Sequence, residues 1–560
     1  MVRRVLEAVN RGVKTATARW RGLLCMALVI SAAMNACTRI PTSAQRVASG
    51  TIPDTLRYAT SGINSLNPLT QETNAEVVLD MFIYGWFFYV DDKGNFVPDL
   101  AVVVPTHKNG GITADGRTLT YHLRRGVRWQ DGAPFTARDV VFTVHAVMNP
   151  HNDVYSRAGW ADIASMETPN DFTVRFHLKR PYAPAIATLF CPYQPDGYPV
   201  LPAHLLARYA DLNHVPFNSE PVGTGPFKVT EWFRGDRIVL DANPLYWRGP
   251  PKLKRVIAKI IPNDSTVLIQ FQSHELDAIF GAPEAQYPQL IKLNDAKVTL
   301  APAALFGALQ INTKHPPLDD VRIRRAINYA INKPQLIANV THDVDTPADS
   351  DIPNSSWAHD SQLRPIGYDP TAARMLLEKA GWVPGPDGIR IKDGKRLSLN
   401  FAGLTGAATL TADTLLIQEM LRAVGIETVI KNYSAELFSG LKGGVLLAGH
   451  YDIAVVDNGS GIDPDDSTMF MCDQMPPSGA NLDFWCDPTF DTAERGALAH
   501  YDQPTRKRYY AVTQRELLEQ SPVVFLYYDR QILVTSPRLH GFAATPAVIF
   551  NWNTWQWSME

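Results

Sequence analysis

Hydrophobic and polar residues alternate in short runs from Asp54 to the C-terminus, with helical windows between the runs. Alternation with a period of two is typical of a β-strand that buries one face. The predicted strands cover residues 55–59, 119–123, 172–178, 238–241, 256–261, 298–312, 397–401, 428–431 and 523–528. Strands interleaved with helices indicate an α/β protein.

Amphipathic helices are predicted where apolar residues recur every three or four positions. Thr136 can cap one helix with Asp139 three residues later, followed by valines at 140, 141, 144 and 147. Further helices are predicted over residues 321–331, 371–380, 410–424 and 505–519. The order of elements lacks a barrel repeat. We expect residues 310–314 and 527–533 to carry the chain between two lobes.

The first 36 residues have the pattern of a bacterial export signal. Six basic side chains and one acidic side chain are followed by an apolar run over residues 23–34 and then by small residues. A run of about 12 residues is too short to cross a hydrocarbon layer of ~30 Å as a helix. No later window approaches about 18 uninterrupted apolar residues. We therefore predict a signal peptide over residues 1–36 and export of the mature chain.

Cys37 follows directly on this leader and resembles the lipid-bearing cysteine of a bacterial lipobox. Met34 and Asn35 depart from the usual lipobox residues, so ordinary cleavage after Ala36 stays open as the alternative. Residues 37–53 lack hydrophobic periodicity and suit a flexible tether. The sequence thus predicts a protein of the periplasm, or of the outer face of the cytoplasmic membrane, with a lipid anchor at Cys37.

The charge of the mature chain excludes one class of partner. The 560 residues hold 53 basic and 56 acidic side chains, and without the leader 47 basic side chains face 55 acidic ones. A net acidic surface does not favour a phosphate backbone, so we expect no nucleic-acid partner.

Motifs for catalysis and for metal binding are missing from the sequence. It has no nucleophile elbow, no zinc-protease helix, no phosphate-binding loop and no Cys-x-x-Cys. We therefore expect neither an enzyme nor a bound cofactor.

Cys472 and Cys486 lie 14 positions apart in an exported chain, so a disulfide between them and two reduced thiols both stay open, with Cys191 left unpaired.

A series of motifs in one order gives the sequence a resemblance to a known family. They are residues 98–101 (PDLA), 115–141 (DGRTLTYHLRRGVRWQDGAPFTARDVV), 221–227 (PVGTGPF), 243–247 (NPLYW), 274–278 (HELDA), 312–327 (NTKHPPLDDVRIRRAI), 451–454 (YDIA), 463–465 (DPD), Asn481 and 486–491 (CDPTFD). In this the chain resembles the peptide/nickel family of extracellular solute-binding proteins, family 5, which feed ABC importers.

The resemblance implies a two-lobed periplasmic-binding-protein fold of type II, in its large three-subdomain variety, with a hinged ligand cleft. On that basis lobe I comprises residues 54–74, 221–312 and 529–560, with an extra subdomain over residues 75–220. Lobe II comprises residues 313–528.

The resemblance also implies where the ligand binds. Peptide-binding relatives carry a Gly-Trp before a short loop whose aspartate pairs with the α-ammonium of the peptide, a charge-assisted contact. Residues 455–464 correspond to that loop but have no tryptophan, and the aspartate position falls at Ser460 or Gly461. Asp457 or Asp463 then supplies the carboxylate from a shifted position, or the ligand is not a peptide with a free amino group.

Other residues are placed in the pocket by the same resemblance. They are Asn458, Tyr433 (or Ser434), Thr73, Asn74 and Trp86. Asp463 also has an alternative role as a turn residue before proline, and most of the aromatic cluster around Trp86 is expected in the core.

The favoured function is therefore the capture of dipeptides or oligopeptides and their delivery to the permease of an ABC importer, by a monomer. Two alternatives stay open at this point. The same fold could bind an oligosaccharide, opine, nickel chelate or haem, and an exported hydrolase would need a nucleophile or metal set that the sequence does not show.

Overall fold

The computed structural model describes residues 52–71, 73–193, 197–440, 443–459 and 461–560. The predicted signal peptide, nearly all of the predicted tether, Cys37 and Ser460 lie outside the described residues. Residues 52–560 form one compact unit. Within the described ranges no helix has the length and apolar character needed to cross a membrane.

The strands and helices follow in chain order. The strands are β1 (Thr55–Thr60), β2 (Phe88–Val90), β3 (Phe96–Pro98), β4 (Thr118–His122), β5 (Ile163–Asn170), β6 (Thr173–Leu178), β7 (Phe227–Phe233), β8 (Arg237–Ala242), β9 (Arg255–Ile260), β10 (Ala278–Ala282), β11 (Lys297–Ile311), β12 (Thr346–Pro347), β13 (Val383–Pro384), β14 (Arg390–Lys392), β15 (Lys395–Arg396), β16 (Ser398–Leu404), β17 (Glu427–Tyr433), β18 (Ile453–Gly459), β19 (Val523–Thr535), β20 (Leu539–His540) and β21 (Ser558–Met559). The helices are α1 (Asn74–Ile83), α2 (Ala137–Met148), α3 (Ala185–Thr188), α4 (Ala203–Leu206), α5 (Asp264–Gln272), α6 (Tyr287–Leu290), α7 (Val321–Ala330), α8 (Lys333–Leu336), α9 (Pro370–Lys379), α10 (Ala408–Ala423), α11 (Ala435–Ser439), α12 (Ser467–Phe470), α13 (Pro488–Ala499) and α14 (Gln503–Gln520).

The predicted elements are present at the predicted places. All nine predicted strands and all five predicted helices appear, and the α/β class is confirmed. Thr136 and Asp139 form the predicted capping box at the start of α2. The largest difference is β19, which continues to Thr535, seven residues beyond the predicted end.

One large sheet runs through both lobes, in the strand order β17-β16-β18-β11-β19-β10-β1-β9-β8-β7, with β12 also pairing with β19. Strands β16, β17 and β18 are parallel and form the second lobe. Strands β10, β1 and β9 are parallel and form the first lobe together with the antiparallel β8 and β7. The long antiparallel strands β11 and β19 join the two lobes.

The ladder between these two connecting strands is interrupted near its middle. Its register breaks between Pro302 and Phe306. Ala304, inside the break, has a φ of 52°, which is uncommon for a residue with a Cβ atom. A break in both connections at one level is suited to a hinge. The exact lobe boundaries, and the extra subdomain over residues 75–220, stay predictions.

Each lobe has its own hydrophobic core. One core includes residues of β1, β8 and β9 together with side chains from residues 78–217, among them the fully buried Trp129 and Trp160. A second core packs α7, α9 and α10 against β16 and β18. Separate cores allow each lobe to move as a unit.

The glycines of the 221–227 motif serve close packing. A Cβ atom on Gly223 would lie 1.9 Å from the Ile83 carbonyl oxygen, and one on Gly225 would lie 2.6 Å from the Ile83 carbonyl carbon. Gly225 also donates its N–H to that oxygen at 2.9 Å. The motif thus fixes the end of α1 against the start of β7.

Candidate ligand cleft

A cavity of about 270 Å³ lies where the two lobes meet the interrupted part of β11. Its walls come from the start of α1, from the hinge residues Ala304 and Leu305, and from Gly459 and Gly461 at the end of β18. Three tyrosines of the 150–200 region, Tyr155, Tyr193 and Tyr198, complete one side. Because its walls belong to both lobes and to the hinge, a change in their relative orientation changes this cavity.

Thr73, Asn74 and Trp86, which the resemblance places in the pocket, line this cavity, and their contact with a ligand stays a prediction. Thr73 caps α1 in a box with Glu76, whose carboxylate accepts the Thr73 N–H at 3.1 Å. Trp86 is 1% exposed and belongs mainly to the core, but its indole Nε1 is buried without a hydrogen-bond partner. A buried donor of this kind is costly unless a ligand or a water accepts from it.

Asp457 and Asn458 lie on β18 and Tyr433 ends β17. The sheet register puts all three at the carboxyl ends of the parallel strands of the second lobe, because Leu404 of β16 pairs with Tyr433. In open α/β sheets this edge is the usual place for a ligand. None of the three lines the cavity described above, so they extend the candidate site beyond it.

The Asp457 carboxyl group lies within electrostatic range of the first lobe. Its pKa is raised to about 6, mainly by desolvation from the surrounding walls and further by the charge of Glu284, which belongs to the first lobe. The side chain stays accessible to solvent, so a ligand in the cleft can reach it.

Asp463 has a partner within the protein. Both carboxylate oxygens accept hydrogen bonds from Arg506, and both side chains are buried. The structure therefore offers a structural role for Asp463, beside the ligand contact that the resemblance implied.

Two further groups of cavity residues were not predicted from the sequence. The three tyrosines lie in loops without a motif, and Asp80 lies on the buried face of α1, where its pKa is raised by burial. Gln71 donates its side-chain N–H to Asp80 at 2.9 Å. In the sequence, the signal that could have located Asp80 is an acidic residue between the apolar residues of α1.

The structure also joins Cys472 to Cys486 in a disulfide, while Cys191 is free and buried. Among the described residues no group of three or more His, Cys, Asp or Glu side chains could hold a metal ion.

Two α/β lobes that enclose a cavity at a two-stranded hinge define a solute-binding protein. The sequence pattern of the bacterial extracellular solute-binding proteins, family 5, matches residues 77–478. The chain belongs to this family, whose members are solute-binding proteins, and the resemblance found in the sequence is confirmed.

Several relatives have names that state a ligand. A di/tripeptide-binding protein of Pseudomonas aeruginosa is 30% identical over 482 residues, which are 80% of this chain and 86% of that protein. The oligopeptide-binding protein AppA of Bacillus subtilis is 27% identical and aligns over 86% of this chain and 87% of its own.

Solved structures have the same fold. NikZ of Campylobacter jejuni, in complex with Ni(L-His), is 27% identical with a TM-score of 0.76 and covers 91% of this chain and 100% of its own. AppA of Bacillus subtilis, in complex with a nonapeptide, has a TM-score of 0.73 at 24% identity over 90% of this chain and 99% of its own, which shows the fold alone.

Proposed function

We propose that this protein captures a peptide in the cleft between its lobes and delivers it to the permease of an ABC importer. The observation that carries the proposal is the cavity formed jointly by both lobes and the broken hinge strand. A ligand that contacts both lobes favours the closed arrangement, and a membrane partner can then recognise that arrangement. The peptide-binding names of the relatives support the choice of ligand.

Asp457 is the proposed partner of the α-ammonium of the peptide. It lies at the carboxyl edge of the second lobe, is accessible, and has no ion pair with any basic side chain of the described residues. A charge-assisted contact with an ammonium group would compensate the desolvation that raises its pKa.

The test is to identify and then measure the ligand. Native mass spectrometry of freshly purified protein would show a co-purified peptide, and a thermal-shift screen would compare peptides with sugars and metal chelates. Stabilisation by peptides supports the proposal. Stabilisation by a nickel chelate or a sugar, with none by any peptide, would contradict it.

We further propose that residues 1–36 are removed on export, that Cys37 carries the lipid anchor, that residues 37–53 form the tether, and that the protein works as a monomer. Intact mass of the mature protein from its native host, before and after substitution of Cys37 by Ser, tests the anchor. An unmodified Cys37 at the mature N-terminus would contradict it. Sedimentation of the soluble chain tests the monomer.

A further inference from the structure

Five carboxyl groups interact electrostatically with one another near the hinge, and three of them, Asp413, Asp457 and Asp529, also act on the phenol of Tyr527. We call Glu284, Asp345, Asp413, Asp457 and Asp529 the acidic cluster. Four of these residues come from four separate parts of the chain on or beside the second lobe, namely the segment before β12, helix α10, strand β18 and strand β19, while Glu284 follows β10 of the first lobe. The cluster therefore spans both lobes.

Hydrogen bonds and packing fix the positions of these groups. Tyr527 donates its hydroxyl hydrogen to Asp413 Oδ2 at 2.7 Å. The ring of Tyr527 covers Gly307, where a Cβ atom would lie 2.5 Å from it, and Gly307 pairs with Asp457. The backbone N–H of Arg530 donates to Asp345 Oδ1 at 2.8 Å, directly after Asp529.

No basic side chain of the described residues forms an ion pair with any member of the acidic cluster. The Arg530 guanidinium donates instead to the Leu300 carbonyl oxygen at 3.2 Å. Like charges gathered without a counter-charge are unfavourable. Within the described residues, therefore, no basic side chain neutralises the acidic cluster when its members ionise.

Two carboxylate oxygens inside the acidic cluster receive no hydrogen bond from the part of the chain that the structure describes. Asp413 is 0% exposed and its Oδ1 atom has no partner, and Asp529 Oδ1 is also shielded from solvent without one. Buried acceptors are normally satisfied, so these two atoms indicate a missing donor.

Burial and neighbouring charges raise the pKa values of acids in the cluster. Burial raises the pKa of Asp345 and of Asp413 to about 7, and the charges of Asp457 and Glu284 add to the effect. Burial, followed by the same neighbours, raises the pKa of Asp529 well above its usual value. Each of these groups would ionise more readily beside a bound cation.

The acidic cluster continues the ligand cleft. A second cavity of about 440 Å³ shares Asn74, Leu305 and Val548 with the first. Its walls include Pro283 and Gln286 on either side of Glu284, and Gln531, two residues from Asp529 on the same face of β19. None of the five acids lines either cavity, but the chain neighbours of Glu284 and Asp529 do, so a ligand in the second cavity lies beside the acidic cluster.

We propose that the acidic cluster binds a cationic side chain of the ligand, so that the protein selects peptides carrying lysine or arginine close to their amino terminus. Ammonium and guanidinium groups supply several donors to acceptor-only carboxylates. A directly coordinated metal ion fits less well, because the described residues hold no group of metal-ligating side chains. This inference rests on the proposed function, since it names the class of peptide.

The test compares peptides that differ only in charge. Calorimetry at pH 8 would measure Lys-Ala-Ala and Ala-Lys-Ala against the same peptides with norleucine in place of lysine. We expect at least one lysine peptide to bind about tenfold more tightly than its norleucine counterpart. Asp529→Asn and Glu284→Gln should each reduce the ratio of lysine-peptide to norleucine-peptide affinity, a ratio in which a general effect on the cleft cancels. The matched control is Glu231→Gln, an exposed acid on the distant strand β7.

The outcomes separate this inference from the proposed function. Equal affinity for lysine and norleucine peptides overturns the inference and leaves peptide binding intact, whereas no binding of any peptide contradicts the function. Spermidine, a cation without a peptide bond, then tests the acidic cluster alone. It should raise the melting temperature of the wild type more than that of Asp529→Asn, and an equal shift in both would overturn the inference.

Discussion

The guanidinium of Arg506 donates to both carboxylate oxygens of Asp463, with Nη1–Oδ2 and Nη2–Oδ1 distances of 2.6 Å each. The same guanidinium donates through Nε to the Ala497 carbonyl oxygen at 3.0 Å, and its side chain is only 6% exposed to solvent. This pair ties the loop after β18 to helix α14. The loop follows the candidate ligand residues directly, so the pair holds one end of the site in place.

We expect Asp463→Asn to destabilise the protein more than it weakens peptide binding. Loss of one partner leaves the Arg506 charge buried and unpaired, which costs about 3 kcal/mol. Urea unfolding measures the free energy of unfolding, and calorimetry measures the dissociation constant for a peptide. The control is Asp387→Asn, which breaks the exposed pair between Asp387 and Arg396 and should change stability little. A large loss of affinity with unchanged stability would instead make Asp463 a ligand contact.

A second buried group of acids lies close to this pair. Asp351, Asp466 and Glu494 are at most 1% exposed, and Asp466 interacts with the other two through hydrogen bonds between carboxyl groups, while no basic side chain of the described residues forms an ion pair with any of the three. Burial, followed by the charges of neighbouring groups, raises the pKa of Asp466 and of Glu494 well above the usual range, and burial raises the pKa of Asp351. His359, Asp349, Asp465 and Arg506 also face this group.

We expect Asp466→Asn to raise the melting temperature at pH 8 and to change it less at pH 5. A carboxyl group whose pKa is raised in the folded state stabilises the protein below the pKa of the unfolded chain, about 4, and that contribution is lost as the pH rises through the folded value. An amide in place of the carboxyl group cannot ionise, so the loss of stability at high pH does not occur. Calorimetric scans at the two pH values measure the effect.

The control for this pH dependence is Asp473→Asn, a substitution of an exposed acid in the same region. It should shift the melting temperature equally at both pH values. A lower melting temperature of Asp466→Asn at pH 8 would mean that the ionised carboxylate is stabilising, and the prediction would be wrong.

The disulfide joins Cys472 to Cys486, which are 14 positions apart, and closes the loop between α12 and α13. We expect Cys472→Ser with Cys486→Ser to lower the free energy of unfolding by about 3 kcal/mol, because a cross-link over a loop of this length reduces the conformational entropy of the unfolded chain. Denaturant unfolding measures the change. Reducing agent should destabilise the wild type by a similar amount and leave the double variant unaffected; destabilisation of both would assign the effect to something other than this bond.

The sequence predicted the strands with clear alternation, but it missed β18, which carries Asp457 and Asn458. Residues of β18 are buried only in its first half, and its second half borders the cleft, so the apolar run is short. The cavity tyrosines were missed for another reason. Tyr155, Tyr193 and Tyr198 converge only through the folding of loops, and no local periodicity records such contacts.

The acidic cluster was the feature of the structure that the sequence predicted least well. Residues of the acidic cluster are separated by up to 245 positions, between Glu284 and Asp529, and each alone is an ordinary surface acid in the sequence. Their meeting depends on the pairing of β11 with both β18 and β19, which the strand pattern does not specify. Thr73, Asn74 and Trp86 were proposed for the pocket from the overall resemblance to the family and not from periodicity.

Asp457→Asn provides the sharpest test of the candidate site. We expect it to weaken the binding of a peptide with a free amino group at least about tenfold at pH 8, because an amide cannot form an ion pair with the α-ammonium. An N-acetylated peptide should lose much less affinity on the same substitution. For the wild type, affinity should fall as the pH drops below about 6, the pKa of Asp457 in the unliganded protein, while the variant should show a smaller dependence in that range.

The matched control for this variant is Glu419→Gln, which neutralises an exposed acid on α10 of the same lobe. It should bind both peptides as the wild type does. Calorimetry with the free and acetylated peptides decides the outcome, because general damage to the cleft would weaken both to the same extent. Equal affinity of Asp457→Asn and wild type for the free peptide would remove Asp457 from the site and leave the ammonium partner to be sought around residues 459–463.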